Sequence, residues 1–324
     1  MKAVLCEAFG PIENLRVAEL PSPEPGPGQL LVDVKAASIN FPDTLMVEGR
    51  YQVKPPLPFT PGAELAGVVA AVGEGVDRFE PGDPVIASTG TGAFAEQCVV
   101  DAVRTVPMPE GMDFESGASY VLVYGTSLHA LRTIARLQPG ETLLVLGAAG
   151  GVGIAAIEIA KAMGARVIAA ASSEAKLALA RQAGADHGID YTQEEWRRQV
   201  DTLTDGRGAD VVYDPVGGVY SEPALRATAW RGRYLVIGFA AGDIPRLPLN
   251  QVLLNSRTVI GVDWGAWTGR DPDGNAALLA ELFAMVGAGR LHPVEPVAYP
   301  LDDAARALAD LQGRRVTGKV VLVP

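Results

Sequence analysis

The segment from Thr142 to Gly164 constrains the fold most, because it predicts a strand, a glycine turn and a helix in immediate succession. Thr142 to Leu146 is a short apolar run typical of a strand buried on both faces, and apolar residues then recur at helical spacing from Ile154 to Met163. A tight turn before a helix N-terminus favours anions, because free N–H groups and the helix dipole point at them. The segment therefore predicts the core of a dinucleotide-binding unit.

The glycine turn is predicted to hold the cofactor's phosphates, because glycine tolerates positive φ and lets a pyrophosphate approach the backbone. The GxGxxG pattern is imperfect, since Ala148 stands in its first place before Gly150 and Gly153. A second apolar run, Ala165 to Ala171, follows at the length of one βαβ unit and supports the site. The alternative is a glycine-rich turn that binds no nucleotide. The predicted phosphate-binding residues are Gly147, Ala149, Gly150, Gly151, Val152 and Gly153.

The pattern of predicted secondary structure changes near Leu122. Before it, short runs of strand character, among them Phe94 to Val100, are punctuated by proline and glycine, which predicts a small closed β structure. After it, helices alternate with buried strands, as in a doubly wound parallel sheet. The closing strand, Lys319 to Val323, is too isolated to extend that sheet, so we expect the C-terminus to return to the first domain. The predicted domains are 1–122 with 267–324, and a nucleotide-binding domain over 123–266.

Charge and cysteine content narrow the class of protein. The formal net charge is −11, and no basic patch is visible, which argues against nucleic-acid or anionic-membrane partners. Cys6 and Cys98 are the two cysteines, and they suit a reducing compartment. The apolar run near Met1 is too short for a signal peptide, so we expect a cytoplasmic protein.

The chain resembles the zinc-independent quinone oxidoreductases, the zeta-crystallin-like branch of the medium-chain dehydrogenase/reductases. This resemblance implies an α/β fold with a GroES-like β-barrel domain and a Rossmann domain with a doubly wound parallel sheet. It also implies a homodimer joined through the edge strand at Arg257 to Val262. The matching segments are Ala37–Asp43, Pro58–Gly67, Gly147–Gly153, Val211–Gly218 and Thr317–Leu322.

The residues at the positions of the relatives' zinc ligands argue against a catalytic zinc. Zinc-bearing relatives use a Cys and a Gly-His-Glu motif among their ligands, whereas this chain has Ile39-Asn40 and Gly62-Ala63-Glu64 at those places. A tetrahedral site needs several sulfur or imidazole ligands. The three histidines are widely separated at positions 129, 187 and 292, so we expect no metal.

The end of the second strand favours NADPH over NADH. NAD sites place Asp or Glu there for the ribose hydroxyl, but this chain has Ser172, Ser173 and then Lys176, which suit a 2′-phosphate. Glu174 follows one residue too late for the usual acidic role. The alternative makes a serine here a plain N-cap and Lys176 a solvated helix residue. The resemblance implies further cofactor contacts at Thr126, Tyr191, Gly238, Phe239 and, with Arg315 adjacent, Arg314.

Hydride transfer needs orientation, exclusion of water and stabilisation of a developing oxyanion. The resemblance implies that Asn40, Asp43 and Tyr51 face the nicotinamide. Asn40 or Tyr51 can donate a hydrogen bond to the substrate oxygen, and their alternatives are an Asx-turn and an aromatic lid. Some relatives have a second Tyr where this chain has Leu45, which makes the pocket more apolar.

The sequence thus predicts an NADPH-dependent, zinc-independent reductase of a small-molecule quinone or α,β-unsaturated carbonyl. One alternative is a short-chain enoyl-CoA or acryloyl-CoA reductase. The other is a non-catalytic NADPH-binding protein with a structural or sensing role.

Overall fold

The computed structural model describes residues 1–313 and 315–324, and the chain divides into two compact units. The first unit comprises Met1–Leu122 and Pro293–Pro324, and the second comprises Val123–His292. The C-terminal segment therefore belongs to the first unit. Among the described residues, no helix is both long and apolar enough to cross a bilayer.

The first unit is mainly β-structure. Short 3₁₀ turns lie at Ile12–Asn14, Ala102–Arg104 and Leu301–Asp303. Helix α2 begins in this unit and continues into the second. The other elements are β1 (Lys2–Leu5), β2 (Arg16–Glu19), β3 (Gln29–Ile39), α1 (Phe41–Val47), β4 (Glu64–Val72), β5 (Pro84–Ser88), β6 (Gln97–Asp101), β7 (Thr105–Pro107), α2 (Phe114–Leu128), β14 (Val297–Pro300), α10 (Ala304–Gln312) and β15 (Val320–Val323).

Strand β3 organises this unit because both of its edges are paired. The described strands run in the order β14-β15-β3-β4-β5-β7, and β6 also pairs with β3. The first half of β3 lies between β4 and β6, and its second half lies between β4 and β15. Alternate side chains of β3 enter an apolar core, among them Leu30, Val32 and Val34.

The second unit alternates strands and helices. A π-helical segment, His129–Ile134, follows α2, and a 3₁₀ turn lies at Gly218–Tyr220. The remaining elements are β8 (Thr142–Leu146), α3 (Gly151–Ala162), β9 (Arg166–Ala171), α4 (Glu174–Gln182), β10 (His187–Asp190), α5 (Trp196–Leu203), β11 (Ala209–Asp214), α6 (Ser221–Arg226), β12 (Thr228–Val236), α7 (Leu249–Leu254), β13 (Thr258–Gly261), α8 (Trp264–Arg270) and α9 (Pro272–Gly287).

The six described strands of the second unit form a parallel sheet in the order β10-β9-β8-β11-β12-β13. Numbered within the unit, this order is 3-2-1-4-5-6, that of the Rossmann fold, with a switch point beside its first strand. Every residue of β8 is buried, as its unbroken apolar sequence predicted. The predicted doubly wound parallel sheet is confirmed.

Two sequence predictions differ from the structure. Residues 267–292 lie in the second unit and not in the first. The ring of Trp267 stacks on that of His129, and Glu281 of α9 forms an ion pair with Arg132, so this segment packs against its own unit. The strand predicted to begin at Phe94 begins at Gln97, because the Phe94 carbonyl accepts a hydrogen bond from the Val4 N–H outside the main sheet.

A close approach at Gly153 yields the first prediction. A Cβ atom there would lie 2.5 Å from the carbonyl oxygen of Gly147, whereas one at Gly287, at the end of α9, would meet nothing within 4 Å. We expect Gly153→Ala to lower the free energy of unfolding by about 1–3 kcal/mol, because the clash is with backbone that must move. Urea unfolding of both variants tests this, and equal midpoints for Gly153→Ala and Gly287→Ala would contradict it.

Candidate active site and cofactor site

The glycine turn after β8 lies at the N-terminus of α3. Gly147 adopts φ +58°, which suits glycine, and its carbonyl accepts a hydrogen bond of 2.9 Å from the N–H of Gly150. Helix α3 begins at Gly151, and the Ile154 N–H donates to the Gly150 carbonyl. The first N–H groups of a helix have no acceptor within it, so the turn offers those of Gly151, Val152 and Gly153 to an anion.

The end of β9 brings two of the predicted cofactor residues together. The Lys176 Nζ lies 3.3 Å from the Ser172 hydroxyl oxygen, and both side chains are half-buried. Ser173 is the N-cap of α4, its hydroxyl accepting from the Lys176 N–H at 3.4 Å. Glu174 pairs instead with Arg181, whose hydrogen bond lowers the pKa of that carboxyl. The structure thus assigns the N-cap to Ser173 and places Lys176 beside Ser172.

Other predicted cofactor residues follow the carboxyl ends of neighbouring strands. Tyr191 comes directly after β10, and its N–H donates to the Ala171 carbonyl at 3.1 Å, which places it beside the end of β9. Gly238 and Phe239 follow β12, and the Gly238 N–H donates to the carbonyl of Asp214 at 3.3 Å. In a parallel sheet these ends share one edge, where nucleotides bind. Thr126 lies half-buried in α2. Arg314 lies outside the described residues.

Asp214, at the end of β11, is a residue that the sequence analysis did not select. One carboxylate oxygen accepts from the N–H groups of Val216 and Gly217 at 2.8 and 2.9 Å. The other accepts from the hydroxyls of Ser221, at 2.7 Å, and Tyr234. A carboxylate at the end of an apolar strand before Pro-Val-Gly-Gly was the available signal. Asp214 orders the loop that carries Val216 against the turn at Gly147.

In the first unit, Asn40 and Asp43 meet where β3 passes into α1. The Asn40 N–H donates to the Asp43 carboxylate at 2.7 Å. Asp43 is only 1% exposed, and this burial raises its pKa to about 7. The hydrogen bonds from Asn40 and Gly62 and the charge of Lys319 oppose that rise, whereas the charge of Glu64 adds to it. Asp43 therefore changes protonation near neutral pH.

The side-chain amide of Asn40 is fixed at both ends. Its Nδ2 group donates to Glu64 Oε1 at 3.1 Å and approaches Ser38 Oγ and the Ser38 carbonyl at 3.4 and 3.5 Å. Its Oδ1 accepts from Lys319 Nζ at 2.7 Å. One amide hydrogen is therefore held firmly by Glu64, and the other makes only long contacts. Neither Glu64 nor Lys319 was selected as a site residue from the sequence.

Tyr51 lies beyond α1 and is half-buried against the core of the first unit. Its N–H donates to the carbonyl of Leu45 at 3.1 Å. The chain reverses there, because Gly49, with φ +69°, follows the end of α1. Tyr51 thus sits on a turn anchored to the same helix that carries Asp43.

The places that the resemblance equates with zinc ligands hold a different set of groups. Asn40 and Glu64 do come together, but the cation beside them is the ammonium of Lys319, 3.2 Å from Glu64 Oε1. Within residues 1–313 and 315–324, no three His, Cys, Asp or Glu side chains are grouped to hold a metal ion. His129 stacks on Trp267, and His187 is hydrogen-bonded to Arg166.

A Rossmann sheet combined with a discontinuous β-domain defines the class of dinucleotide-dependent dehydrogenases with a GroES-like domain. Family models agree: "Alcohol dehydrogenase GroES-like domain" matches residues 26–110 and "Zinc-binding dehydrogenase" matches residues 151–281. The quinone oxidoreductase of Pseudomonas aeruginosa is 38% identical over 100% of this chain and 99% of its own length. Quinone oxidoreductase-like protein 2 of Rattus norvegicus is 38% identical over 99% of this chain and 91% of its own.

The chain therefore belongs to the quinone oxidoreductase family of the medium-chain dehydrogenase/reductases. A solved structure extends this likeness to the whole fold. The quinone oxidoreductase of Escherichia coli, complexed with NADPH, superposes with a TM-score of 0.93 at 30% identity and covers 100% of both chains.

The buried carboxyl of Asp43 predicts a pH-dependent stability. Its pKa of about 7 in the folded chain lies above the ordinary value of 3.8, so the folded state holds the proton longer. The free energy of unfolding should therefore fall as the pH rises from about 4 to about 7, by up to about 4 kcal/mol from this group. Asp43→Asn should flatten that slope in urea unfolding at pH 5 and pH 7.5. The exposed Asp77→Asn is the control, and a wild-type slope in Asp43→Asn would contradict the prediction.

Proposed function

We propose that this protein is an NADPH-dependent reductase that transfers hydride to a quinone or to the β-carbon of an α,β-unsaturated carbonyl, without zinc. The main observation behind this proposal is the contact between Ser172 and Lys176. The pair follows β9, the strand next to β8, and the glycine turn at Gly147 to Gly153 follows β8. The turn suits the pyrophosphate, and the ammonium and hydroxyl suit a 2′-phosphate. Two serines and a lysine stand where NAD sites carry an acidic side chain, and Glu174 is engaged by Arg181.

The bound NADPH would supply the hydride, and the chain's own residues would orient the substrate and stabilise its oxygen. We propose that the weakly held side-chain amide hydrogen of Asn40 donates a hydrogen bond to that oxygen, because the other amide hydrogen already donates to Glu64. The Tyr51 hydroxyl is the second donor. Asp43 fixes the backbone of Asn40 through its N–H. A neutral donor suits this reaction, since negative charge develops on the oxygen as hydride arrives.

The absence of zinc from the mechanism is part of the proposal. A cation already lies between Asn40 and Glu64, and it is an ammonium with hydrogen bonds to both side chains. Zinc would need sulfur, imidazole or carboxylate ligands, and the ammonium competes directly for Glu64. Metal analysis of the active protein by mass spectrometry tests this, and activity that returns only when zinc is added to a chelated sample would overturn it.

Oxidation of NADPH and of NADH, followed at the nicotinamide absorbance, tests the function. The acceptors are a benzoquinone, a naphthoquinone, a 2-alkenal, an alkyl vinyl ketone and acryloyl-CoA. Turnover of a quinone or enone with NADPH well above NADH supports the proposal. Turnover of acryloyl-CoA alone would favour the short-chain enoyl-CoA reductase. Tight NADPH binding without any turnover would favour a non-catalytic NADPH-binding protein.

The Ser172–Lys176 pair yields a prediction on cofactor choice. Lys176→Met removes the ammonium proposed for the 2′-phosphate and should raise KM for NADPH at least ~10-fold, because charge-assisted hydrogen bonds contribute about 1.5–3 kcal/mol. KM for NADH should change less than ~3-fold, since NADH has no phosphate there. Steady-state kinetics with both cofactors provide the internal control. Equal losses with NADPH and NADH would contradict the assignment.

We further propose a homodimer joined through β13. This strand pairs only with β12 among the described strands, so its outer N–H and C=O groups form a sheet edge. Several large apolar side chains on β13, on the neighbouring strand β12 and on the preceding helix α7 are exposed, which is typical of an interface. They include Trp230, Leu249, Leu253, Leu254 and Val259.

The dimer proposal predicts an effect of charge at the edge. Val259→Arg should shift the protein toward monomer, because it adds a positive charge to both copies at the proposed edge pairing, where like charges repel. Sedimentation velocity at micromolar concentration measures the mass. Val103→Arg, an exposed valine of the first unit, is the matched control. A monomeric wild-type protein, or an unchanged mass for Val259→Arg, would contradict the proposed interface.

We propose a cytoplasmic location and a small-molecule electrophile as the partner. Cys6 and Cys98 are buried free thiols, which suits a reducing compartment. The net charge of −11 disfavours nucleic acid and anionic membrane surfaces.

A further inference from the structure

Three side chains from distant parts of the chain meet at one end of the sheet in the first unit. Strand β15 pairs antiparallel with β3, Val320 lying opposite Ile39, and this puts Lys319 beside Asn40. Strand β4 pairs with β3 on the other side, and Glu64 lies opposite Ser38. The strand register thus brings Lys319, Asn40 and Glu64 together. We refer to these three residues as the amide clamp.

The amide clamp contains a buried ion pair. Glu64 is fully buried and Lys319 is 9% exposed, and their charged atoms lie 3.2 Å apart. The Lys319 ammonium also donates to Asn40 Oδ1 at 2.7 Å and approaches the Ile39 carbonyl at 3.5 Å. The second carboxylate oxygen of Glu64 accepts from the Leu122 N–H at 3.0 Å. Buried charges are tolerated when paired and hydrogen-bonded in this way.

The charges of the clamp leave the Asn40 amide one orientation. An ammonium can only donate and a carboxylate can only accept, so Lys319 requires the amide oxygen and Glu64 requires the amide nitrogen. A flipped amide would place N–H against the ammonium and oxygen against the carboxylate. The first hydrogen of Nδ2 is thereby committed to Glu64, and the direction of the second is fixed.

We propose that Lys319 is a positioning residue, which acts as an internal cation to fix and polarise the Asn40 amide for the substrate oxygen. This inference rests on the proposed function for its role in turnover. An ammonium at the amide oxygen draws electron density from Nδ2 and strengthens its remaining hydrogen as a donor. The same ammonium neutralises Glu64, so that no net negative charge opposes the oxyanion.

The test separates positioning from charge balance with three variants: Lys319→Met, Glu64→Gln and the double variant. Each single variant leaves one buried charge without its partner and should lower the urea midpoint. The double variant removes both charges and should recover most of that loss. Lys35→Met, an exposed lysine of β3, is the matched control. The kinetic readouts are kcat, KM for the electrophile and Kd for NADPH from nicotinamide fluorescence.

The double variant decides between the two roles. We expect its kcat to stay at least ~10-fold below wild type although its midpoint recovers, because the amide has lost the donor that fixes it. Kd for NADPH should stay within ~2-fold, since the predicted phosphate contacts lie in the other unit. A double variant with wild-type kcat would overturn the inference and leave Lys319 as a simple counter-ion.

Hydrogen exchange of the Asn40 side-chain amide tests the same role of Lys319 without turnover, and so applies even if no acceptor is reduced. The side-chain NH₂ signal of Asn40, assigned by its loss in Asn40→Asp, reports how firmly the amide is held. Its hydrogen exchange should be at least ~10-fold faster in the double variant than in wild type, because the fixed hydrogen bonds are gone. Unchanged exchange would overturn the inference whatever the assay finds, whereas an inactive wild type with the expected exchange change would overturn only the proposed function.

Discussion

The pairing of β15 with β3 is the constraint on which the first unit depends. It adds the C-terminal strand β15 to the sheet that contains β3. It also covers an edge of β3 that would otherwise be exposed. The same hydrogen-bond register places Lys319 next to Asn40. Shifting the pairing by one residue would turn the alternate side chains to the opposite face, so the core and the amide clamp are specified together.

The buried charges of the amide clamp contribute little net stability, but they fix the orientation of the Asn40 amide. Apolar residues of equal volume would stabilise the sheet as well or better than Lys319 and Glu64, because desolvating two charges offsets most of their attraction. The pair is therefore poorly explained by stability alone. It does give the buried amide of Asn40 a single orientation, which a hydrophobic replacement cannot do.

The second unit builds its site differently, chiefly from backbone. Turns at the carboxyl ends of β8, β9, β10 and β12 share one sheet edge, and the first turn of α3 contributes N–H groups. Asp214, at the end of β11, orders the loop that follows this strand through four hydrogen bonds. Side-chain chemistry enters mainly at Ser172 and Lys176, the position proposed to distinguish NADPH from NADH.

Sequence reasoning succeeded where the signal was local. The β8–turn–α3–β9 segment carries its own periodicity and glycines, and Ser172 and Lys176 lie on either side of the N-cap Ser173, so their contact involves no distant part of the chain. It did not select Lys319, because nothing local indicates that a lysine before a terminal strand meets an asparagine 279 positions earlier. The boundary at 267 was wrong for a related reason. An apolar helix face predicts burial, but it does not say which core receives it.

The amide clamp and Asp43 together explain how the site proposed for hydride transfer could hold two carboxyls near a developing oxyanion. Glu64 forms an ion pair with Lys319 at 3.2 Å, so the pair adds no net charge. Asp43 forms no ion pair with any described residue, and its burial keeps it protonated below about pH 7. If both carboxyls were bare anions, they would repel the charge that hydride transfer creates. Neutralising one by an ammonium and the other by a proton leaves the side-chain amide of Asn40 as the group that we propose for the substrate oxygen.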